Sequence, residues 1–249
     1  MRDFLIYGLL AFLLVAAWVL RSPWFKGLLG EVQVNSSLRG QLDQQQYRLI
    51  KDLTLPAGDG TTQVDHVILS RFGVFVIETK NMTGWIFGTE KQAQWTQTIY
   101  RKKSRFQNPL RQNYKHIKTI QELLGLKNHQ LHGIVVFVGS GVPKTQMPAS
   151  VVWGTRSLVE YIRSKRDVVF DQEDLDGVAE RLTGVQLKAG MQTRRTHNRH
   201  VKAIAAERQD PAKCPRCGGG LVERTNRKTN EPFLSCSKFP KCRGTRKLA

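Results

Sequence analysis

The longest apolar stretch of the chain comes first, an uninterrupted run of 17 residues from Phe4 to Leu20. As a helix rising about 1.5 Å per residue it reaches roughly 25 Å, the short end of a bilayer span. Beyond it Leu28, Leu29, Val32, Leu38, Leu42, Leu49 and Ile50 recur at a loose helical spacing, which predicts a helix from Leu28 to Ile50. Ala57-Gly58-Asp59-Gly60 then marks a turn. Two β-branched runs follow, Gln63 to Ser70 and Gly73 to Thr79, split only by Arg71-Phe72, and they read as a β-hairpin at the centre of a sheet. Both are apolar at nearly every position, the pattern of strands covered on two faces. Polar residues inside them therefore need a reason.

Asn108-Pro109 predicts a helix start, with Asn as cap and Pro in the first turn. Its apolar stripe is Leu110, Tyr114, Ile117, Ile120, Leu123 and Leu124, and Gly125 supplies the end. Ile134–Val138 and Val151–Trp153 read as further strands, Leu158–Ser164 and Asp171–Leu182 as covering helices. The order α-β-β-α-β-β-α-α implies helices layered on a mixed sheet, an α/β domain over residues 27–187. Residues 188–212 form a basic linker, and residues 213–249 form a separate small module.

Charge changes this picture. The 249 residues carry a formal net charge of +19, a standing attraction for polyanions, with nucleic acid and anionic lipid as the two classes that qualify. Apolar composition of 40% excludes a disordered tail. From Lys188 onward 16 basic residues face 4 acidic ones. A second cluster, Arg101, Lys102, Lys103, Arg105, Arg111, Lys115 and Lys118, contains no acid. A protein that used its charge mainly on lipid would concentrate it next to the apolar run, near Arg21, and most lies at the far end instead.

The apolar run reads either as a membrane anchor or as a cleaved signal peptide, for which Val15-Ala16-Ala17 would serve as a cleavage site. Trp18 and Trp24 at the interface positions, with Arg21 and Lys26 after the run, favour an anchor over residues 1–26 with the body of the protein in the cytoplasm. The expected location is the inner (cytoplasmic) membrane, crossed once. All four cysteines lie in one cluster, which suits a reducing compartment.

Asp65 stands in the first strand of the hairpin. Glu78 and Lys80 stand at the end of the second, two residues apart and so on one face. Antiparallel pairing brings both acids to one end. Two carboxylates so placed resist ionising unless a cation sits with them, which points to Mg²⁺ or Mn²⁺. Lys80 adds a positive charge that helps generate hydroxide and stabilises charge at an attacked phosphodiester.

Gly30-Glu31, Leu55-Pro56, Gly60-Thr61-Thr62-Gln63-Val64-Asp65-His66, Gly73-Val74-Phe75-Val76-Ile77-Glu78-Thr79-Lys80-Asn81, Gly84-Trp85-Ile86, Trp95 and Asn108-Pro109 with Gln112 occur in that order. Together they resemble the nuclease-related domain (NERD) family, from about Leu29 to Leu124. The resemblance implies the restriction-endonuclease-like fold of the PD-(D/E)xK superfamily, with Asp65, Glu78 and Lys80 as the metal and catalytic residues. It also implies Glu31 as a further acidic group, and matches Gln63 and Gln112 to polar family positions. Val64 stands where that superfamily often has proline. Gln112 and His116 lie one helical turn apart, facing either the site or solvent. His66, next to Asp65, points the opposite way and reads as structural.

Cys214-Pro-Arg-Cys217 and Cys236-x5-Cys242 form two chelating pairs, the donor set of a closed tetrahedral structural Zn²⁺ site. A redox role for Cys214 and Cys217 would leave the second pair without a function. The motifs Cys214-Pro-Arg-Cys217-Gly218-Gly219 and Phe233-Leu234-Ser235-Cys236-Ser237-Lys238-Phe239-Pro240-Lys241-Cys242-Arg243 resemble the C-terminal zinc ribbon of type IA DNA topoisomerases, which implies binding to single-stranded DNA. Phe233 and Phe239 either form the core of this small module or offer rings among Arg216, Arg224, Arg227, Lys228, Lys238, Lys241 and Arg243, the combination that single strands favour. The expectation is a membrane-anchored, metal-dependent nuclease hydrolysing DNA. The competing expectation is a membrane-bound DNA-binding scaffold whose nuclease-like core is silent.

Overall fold

The computed structural model describes residues 18–20, 22–58, 60–187, 210–226 and 229–248, together with Tyr7 and Leu13. The larger of two compact units contains Met1–Ala57 and Thr62–Leu187, and the smaller contains Gly58–Thr61 and Lys188–Ala249.

The larger unit begins with α1 (Pro23–Gln41), whose first turn is capped by the Ser22 hydroxyl accepting from the Phe25 N–H at 3.2 Å. The helix expected to run to Ile50 stops at Gln41. Asp43 accepts from the Gln45 N–H and the Gln46 amide, and Gln44 donates to the Leu38 and Leu42 carbonyls, so side chains take over the backbone's partners and turn the chain. Leu49 and Ile50 then belong to β1 (Arg48–Ala57), where Leu53 and Leu55 are buried in alternation.

The hairpin is β2 (Gly60–Ser70) and β3 (Gly73–Asn81), longer than the apolar runs that announced it. Together with β7 (Leu131–Val138) and β9 (Val151–Trp153) they form a five-stranded sheet in the order β1-β2-β3-β7-β9. The β2–β3 pair is antiparallel, while β3–β7 and β7–β9 are parallel.

One face of this sheet, with Phe75, Ile77, Ile134 and Val136, packs against Val34 and Leu38 of α1 and against Leu158 and Ile162 of α3 (Gly154–Ser164). The other, with Val67, Leu69, Val74 and Val76, packs against Ile120 and Leu124 of α2 (Pro109–Leu124) and Val178 and Leu182 of α4 (Gln172–Val185). Cover on both faces is the physical reason that β3 is apolar at successive positions.

Helix α2 starts as its sequence predicts. Asn108 accepts from the Leu110 N–H at 3.0 Å, and Gly125 ends the helix at φ +67°. Of the expected stripe Ile120 and Leu124 are buried and Leu110, Ile117 and Leu123 pack partly buried against the core, but Tyr114 does not. Asn113, His116, Ile120 and Leu124 face the sheet, and Tyr114 is 59% exposed. Two polar residues displace an aromatic one because the Asn113 amide donates to the carbonyls of Val76 (3.0 Å) and Ile134 (3.1 Å), and His116 finds a carboxylate.

A second sheet was not foreseen. It has the order β6-β5-β4-β8, from β4 (Gly84–Phe87), β5 (Gln94–Ile99), β6 (Lys102–Gln107) and β8 (Gly141–Pro143). Its strands are short and rich in Gln, Thr and Lys, so they lack the apolar signature of the first sheet. Ile86 and Trp95 fill its inner side, with Trp95 stacked on Phe137 and Phe137 on Trp153.

The smaller unit is a three-stranded antiparallel sheet of β10 (Leu221–Thr225), β11 (Pro232–Cys236) and β12 (Thr245–Lys247). Among the described residues, no helix is long and apolar enough to cross a membrane. The expected anchor, residues 4–20, lies outside the described residues except at Tyr7, Leu13 and 18–20, and so do Arg21, most of the expected linker and Lys228.

Candidate active site and metal centre

The β2–β3 register ends at His66↔Ile77, so the next step along the two strands brings Asp65 and Glu78 into the same neighbourhood. The Thr79 N–H donates to Asp65 Oδ2 at 2.8 Å, which fixes that carboxylate and leaves Oδ1 uncommitted by the strand. Glu78 is buried, and both of its oxygens are engaged. Lys80 Nζ lies 2.5 Å from Oε1 and His116 Nε2 lies 3.2 Å from Oε2. A carboxylate only accepts, so His116 Nε2–H is the donor to Glu78, and Nδ1 sits 2.9 Å from the Thr62 hydroxyl. Lys80 also donates to Gln112 Oε1 at 3.2 Å. The structure thus brings Asp65, Glu78, Lys80 and Gln112 together and adds His116.

Glu31 approaches from the other side of the sheet. Gly30 makes this possible, since a Cβ there would stand 2.8 Å from Asn81 Cβ, and α1 packs directly on the end of β3. Gln63 is exposed. His66 is buried on the face opposite Asp65, with Nδ1 3.4 Å from Thr79 Oγ1, and burial lowers its pKa to about 4.

The electrostatics are those of a site short of positive charge. Burial, then the neighbouring Glu78 carboxylate, push Asp65 up to about 8, and the Thr79 N–H and Lys80 do not offset them. Glu31 is raised by burial and by Asp52 and Glu78. Burial also works to raise Glu78, but the hydrogen bond from His116 and the charge of Lys80 outweigh it and hold that carboxyl below its ordinary range. A divalent cation beside Asp65 and Glu78 would relieve the conflict. Mg²⁺ takes one or two carboxylates and fills its shell with water and phosphate oxygens, so this buried pair is enough carboxylate for it.

Among the described residues, the one group of three or more metal-ligand side chains drawn together is Cys214, Cys217, Cys236 and Cys242, with ligand atoms within 4.8 Å of one another. These four cysteines form a zinc-binding site. Cys214 and Cys217 lie on the turn closed by Cys214 N–H to the Gly219 carbonyl at 2.7 Å, and Cys236 N–H donates to the Gly244 carbonyl at 2.9 Å. A Cβ at Gly244 would stand 2.3 Å from the Cys214 sulfur, so only glycine lets the chain close around the site. Burial raises Cys214, but the Arg216 and Cys217 N–H groups bring it to about 7. The Lys238 N–H lowers Cys236, yet burial and Cys217 push it up to about 12. Cys214 and Cys236, split in this way, are thiolates together only around a cation.

Around the zinc site Arg216, Lys241 and Arg243 are exposed, and Phe239 is 48% exposed with the Arg224 guanidinium 5.2 Å above its ring. Phe233 is half-buried and lines an open groove with Arg246 and Lys247.

A mixed α/β unit with an acidic strand-end site, joined in one chain to a four-cysteine zinc module, is the class of protein defined so far. Residues 26–138 match the nuclease-related domain (NERD) family, and residues 212–249 match the family of topoisomerase DNA binding C4 zinc fingers. The chain carries both elements.

An uncharacterized protein of Bacillus anthracis is 52% identical over 103 residues, 41% of this chain and 48% of that protein. DNA topoisomerase 1 of Pyrococcus furiosus is 43% identical over 48 residues, 18% of this chain and 4% of the enzyme. DNA topoisomerase 1 of Pyrococcus horikoshii is 53% identical over 30 residues, 12% of this chain and 4% of the enzyme. The chain therefore spans about half the length of the Bacillus relative and a small part of the topoisomerases. No solved structure matches it.

Along the sequence His116 is open between the site and solvent, and neither Thr62 nor Asn113 stands out for a role of its own. Their signal was a polar pair, Asn113 and His116, three apart on a helix whose other buried positions are apolar.

Proposed function

We propose that the larger unit is a metal-dependent nuclease of restriction-endonuclease-like type that hydrolyses DNA phosphodiester bonds. In this reading the ribbon holds single-stranded DNA, and residues 4–20 anchor the protein in the inner membrane with its body in the cytoplasm. One observation carries the catalytic part: Lys80 is clamped between Glu78 and Gln112 at the strand end where Asp65 also lies.

A bound Mg²⁺ or Mn²⁺ would supply a Lewis acid and an acidified water. Asp65 would hold the ion through Oδ1, and Glu78 through lone pairs not taken by Lys80 and His116. The fixed ammonium of Lys80 is placed to stabilise charge developing on an attacked phosphate. Held in advance by Gln112 and Glu78, it needs no reorganisation when that charge appears. His116 keeps Glu78 oriented from the helix side. In the ribbon, the exposed Phe239 ring and its cationic neighbours support binding to unpaired bases and phosphates.

The test uses the full-length protein, with labelled single- and double-stranded DNA in Mg²⁺ and in Mn²⁺. Asp65→Ala and Lys80→Ala should each lose cleavage by about 100-fold or more while retaining DNA binding. Binding by the wild type with no cleavage in either metal would remove the nuclease reading and leave a DNA tether. Protease accessibility of the ribbon from each side of sealed membrane vesicles tests the anchor and its orientation.

A further inference from the structure

Outside the catalytic centre, the second sheet of the larger unit carries a surface with chemistry of its own. Its inner side is filled by Ile86 and Trp95, while on its outer side Trp85, Val142, Lys103 and Arg105 are exposed and Thr98 is buried. Register places Val142, Trp85, Thr98 and Lys103 in one row across that outer face, and Phe87, Thr96 and Arg105 in the next row on the same side. Trp85 is 53% exposed, Lys103 and Arg105 are exposed, and Lys144 places its ammonium 4.9 Å from the centre of the Trp85 ring. At the tip of the β5–β6 hairpin Tyr100 is 98% exposed, followed by Arg101 and Lys102. None of the four strands contains Asp or Glu.

β6 is an edge strand, and a lysine or two there would serve to discourage pairing with another chain. That role calls for neither a half-exposed tryptophan beneath an ammonium nor a fully exposed tyrosine. Aromatic faces interleaved with cations, and no acid among them, match a polymer that alternates flat rings with phosphates. Duplex DNA keeps its base faces stacked away, so the rings select an unpaired strand.

We propose that the outer face of this sheet is a stacking platform for single-stranded DNA. A base packs on Trp85, Tyr100 offers a second ring at the hairpin tip, and Lys103, Arg105 and Lys144 neutralise the flanking phosphates. Trp85 follows Lys80 by five residues, at most about 18 Å of extended chain. From the platform, β6 leads through Asn108 into α2, which carries Gln112. The platform thus adjoins the Lys80 end of the hairpin. Its role of presenting a strand for cleavage rests on the nuclease reading above, whereas its affinity for the strand does not.

The experiment follows binding of fluorescein-labelled oligothymidylate to the full-length, zinc-loaded protein over a series of salt concentrations, with Mg²⁺-dependent cleavage of the same oligonucleotide measured alongside. Trp85→Leu should weaken binding about ten-fold at an unchanged salt slope, because it removes a ring and no charge. Lys103→Gln with Arg105→Gln should reduce the slope by about 1.4, the release of two phosphate counterions. Unchanged melting midpoints confirm that each variant is folded. Wild-type affinity and slope in both variants would overturn the proposal, as would an equal loss for Trp85→Leu on blunt duplex DNA. If the wild type binds without cutting and the variants bind more weakly, the nuclease reading falls and the platform stands. If the variants bind and cut as the wild type does, the platform falls and the nuclease reading stands.

Discussion

The larger unit and the ribbon solve the same problem, holding a charged site in a fixed shape, by opposite means. In the larger unit two apolar layers flank β3, and the site is carried at the end of a strand whose position is already determined by Phe75, Val76 and Ile77. Electrostatic strain at Asp65 is tolerated because the core around it is large. In the ribbon the buried cluster is Cys214, Cys236 and Cys242 with Leu221 packed against it, too little to fold a unit of this size. There the cation is the core. A metal is therefore expected to govern function in one unit and folding in the other.

That contrast can be broken most decisively by removing zinc. Chelation, or Cys236→Ser, should abolish amide protection across β10 and β11, since structural zinc contributes about 10–16 kcal/mol in small modules. The melting midpoint of the larger unit should not move. Common loss of both units in a hydrogen-exchange experiment would show that the ribbon's metal supports more than the ribbon.

A smaller effect is expected from the reverse experiment. Ile77 is fully buried in the centre of the sheet. Ile77→Ala should cost about 2–5 kcal/mol in denaturant unfolding of the larger unit. The zinc affinity of the ribbon should stay at the wild-type value, and a parallel fall would contradict the division of labour.

The smallest effect concerns Asp65 and sharpens the comparison by pH. Its pKa is about 8 in the fold against 3.8 for an unperturbed carboxyl, so between these values the folded chain holds a proton that the unfolded chain has released. The contribution favours folding fully below about pH 4 and is lost as pH rises through 8. In magnesium-free buffer Asp65→Asn should therefore gain stability relative to the wild type as pH goes from 5 to 8, on the order of 1–3 kcal/mol. Added Mg²⁺ should shrink the difference. A pH-independent difference between the two proteins would mean that Asp65 is not held protonated.

Much of this arrangement was legible along the chain. The β2–β3 hairpin announced itself because strands covered on both faces must be apolar at successive positions, which made Asp65, Glu78 and Lys80 conspicuous. Asn108-Pro109 and Gly125 bounded α2 because capping chemistry is local. The second sheet was illegible for the converse reason. Its strands carry few buried residues, and its outer face keeps polar and basic side chains that look like loop. Helix α1 was overextended because Leu42, Leu49 and Ile50 continue a helical spacing that the Asp43–Gln46 turn interrupts.

What the sequence determined by itself is what depends on near neighbours: caps, turns, the apolar strands and the two cysteine pairs. Tertiary structure alone decided that Asn113 and His116, rather than Tyr114, would face the sheet. A buried polar side chain is stable only where its partner waits, and the partners are the Val76 and Ile134 carbonyls and the Glu78 carboxylate. Those groups lie more than twenty residues away along the chain and become neighbours only when α2 settles on β3 and β7.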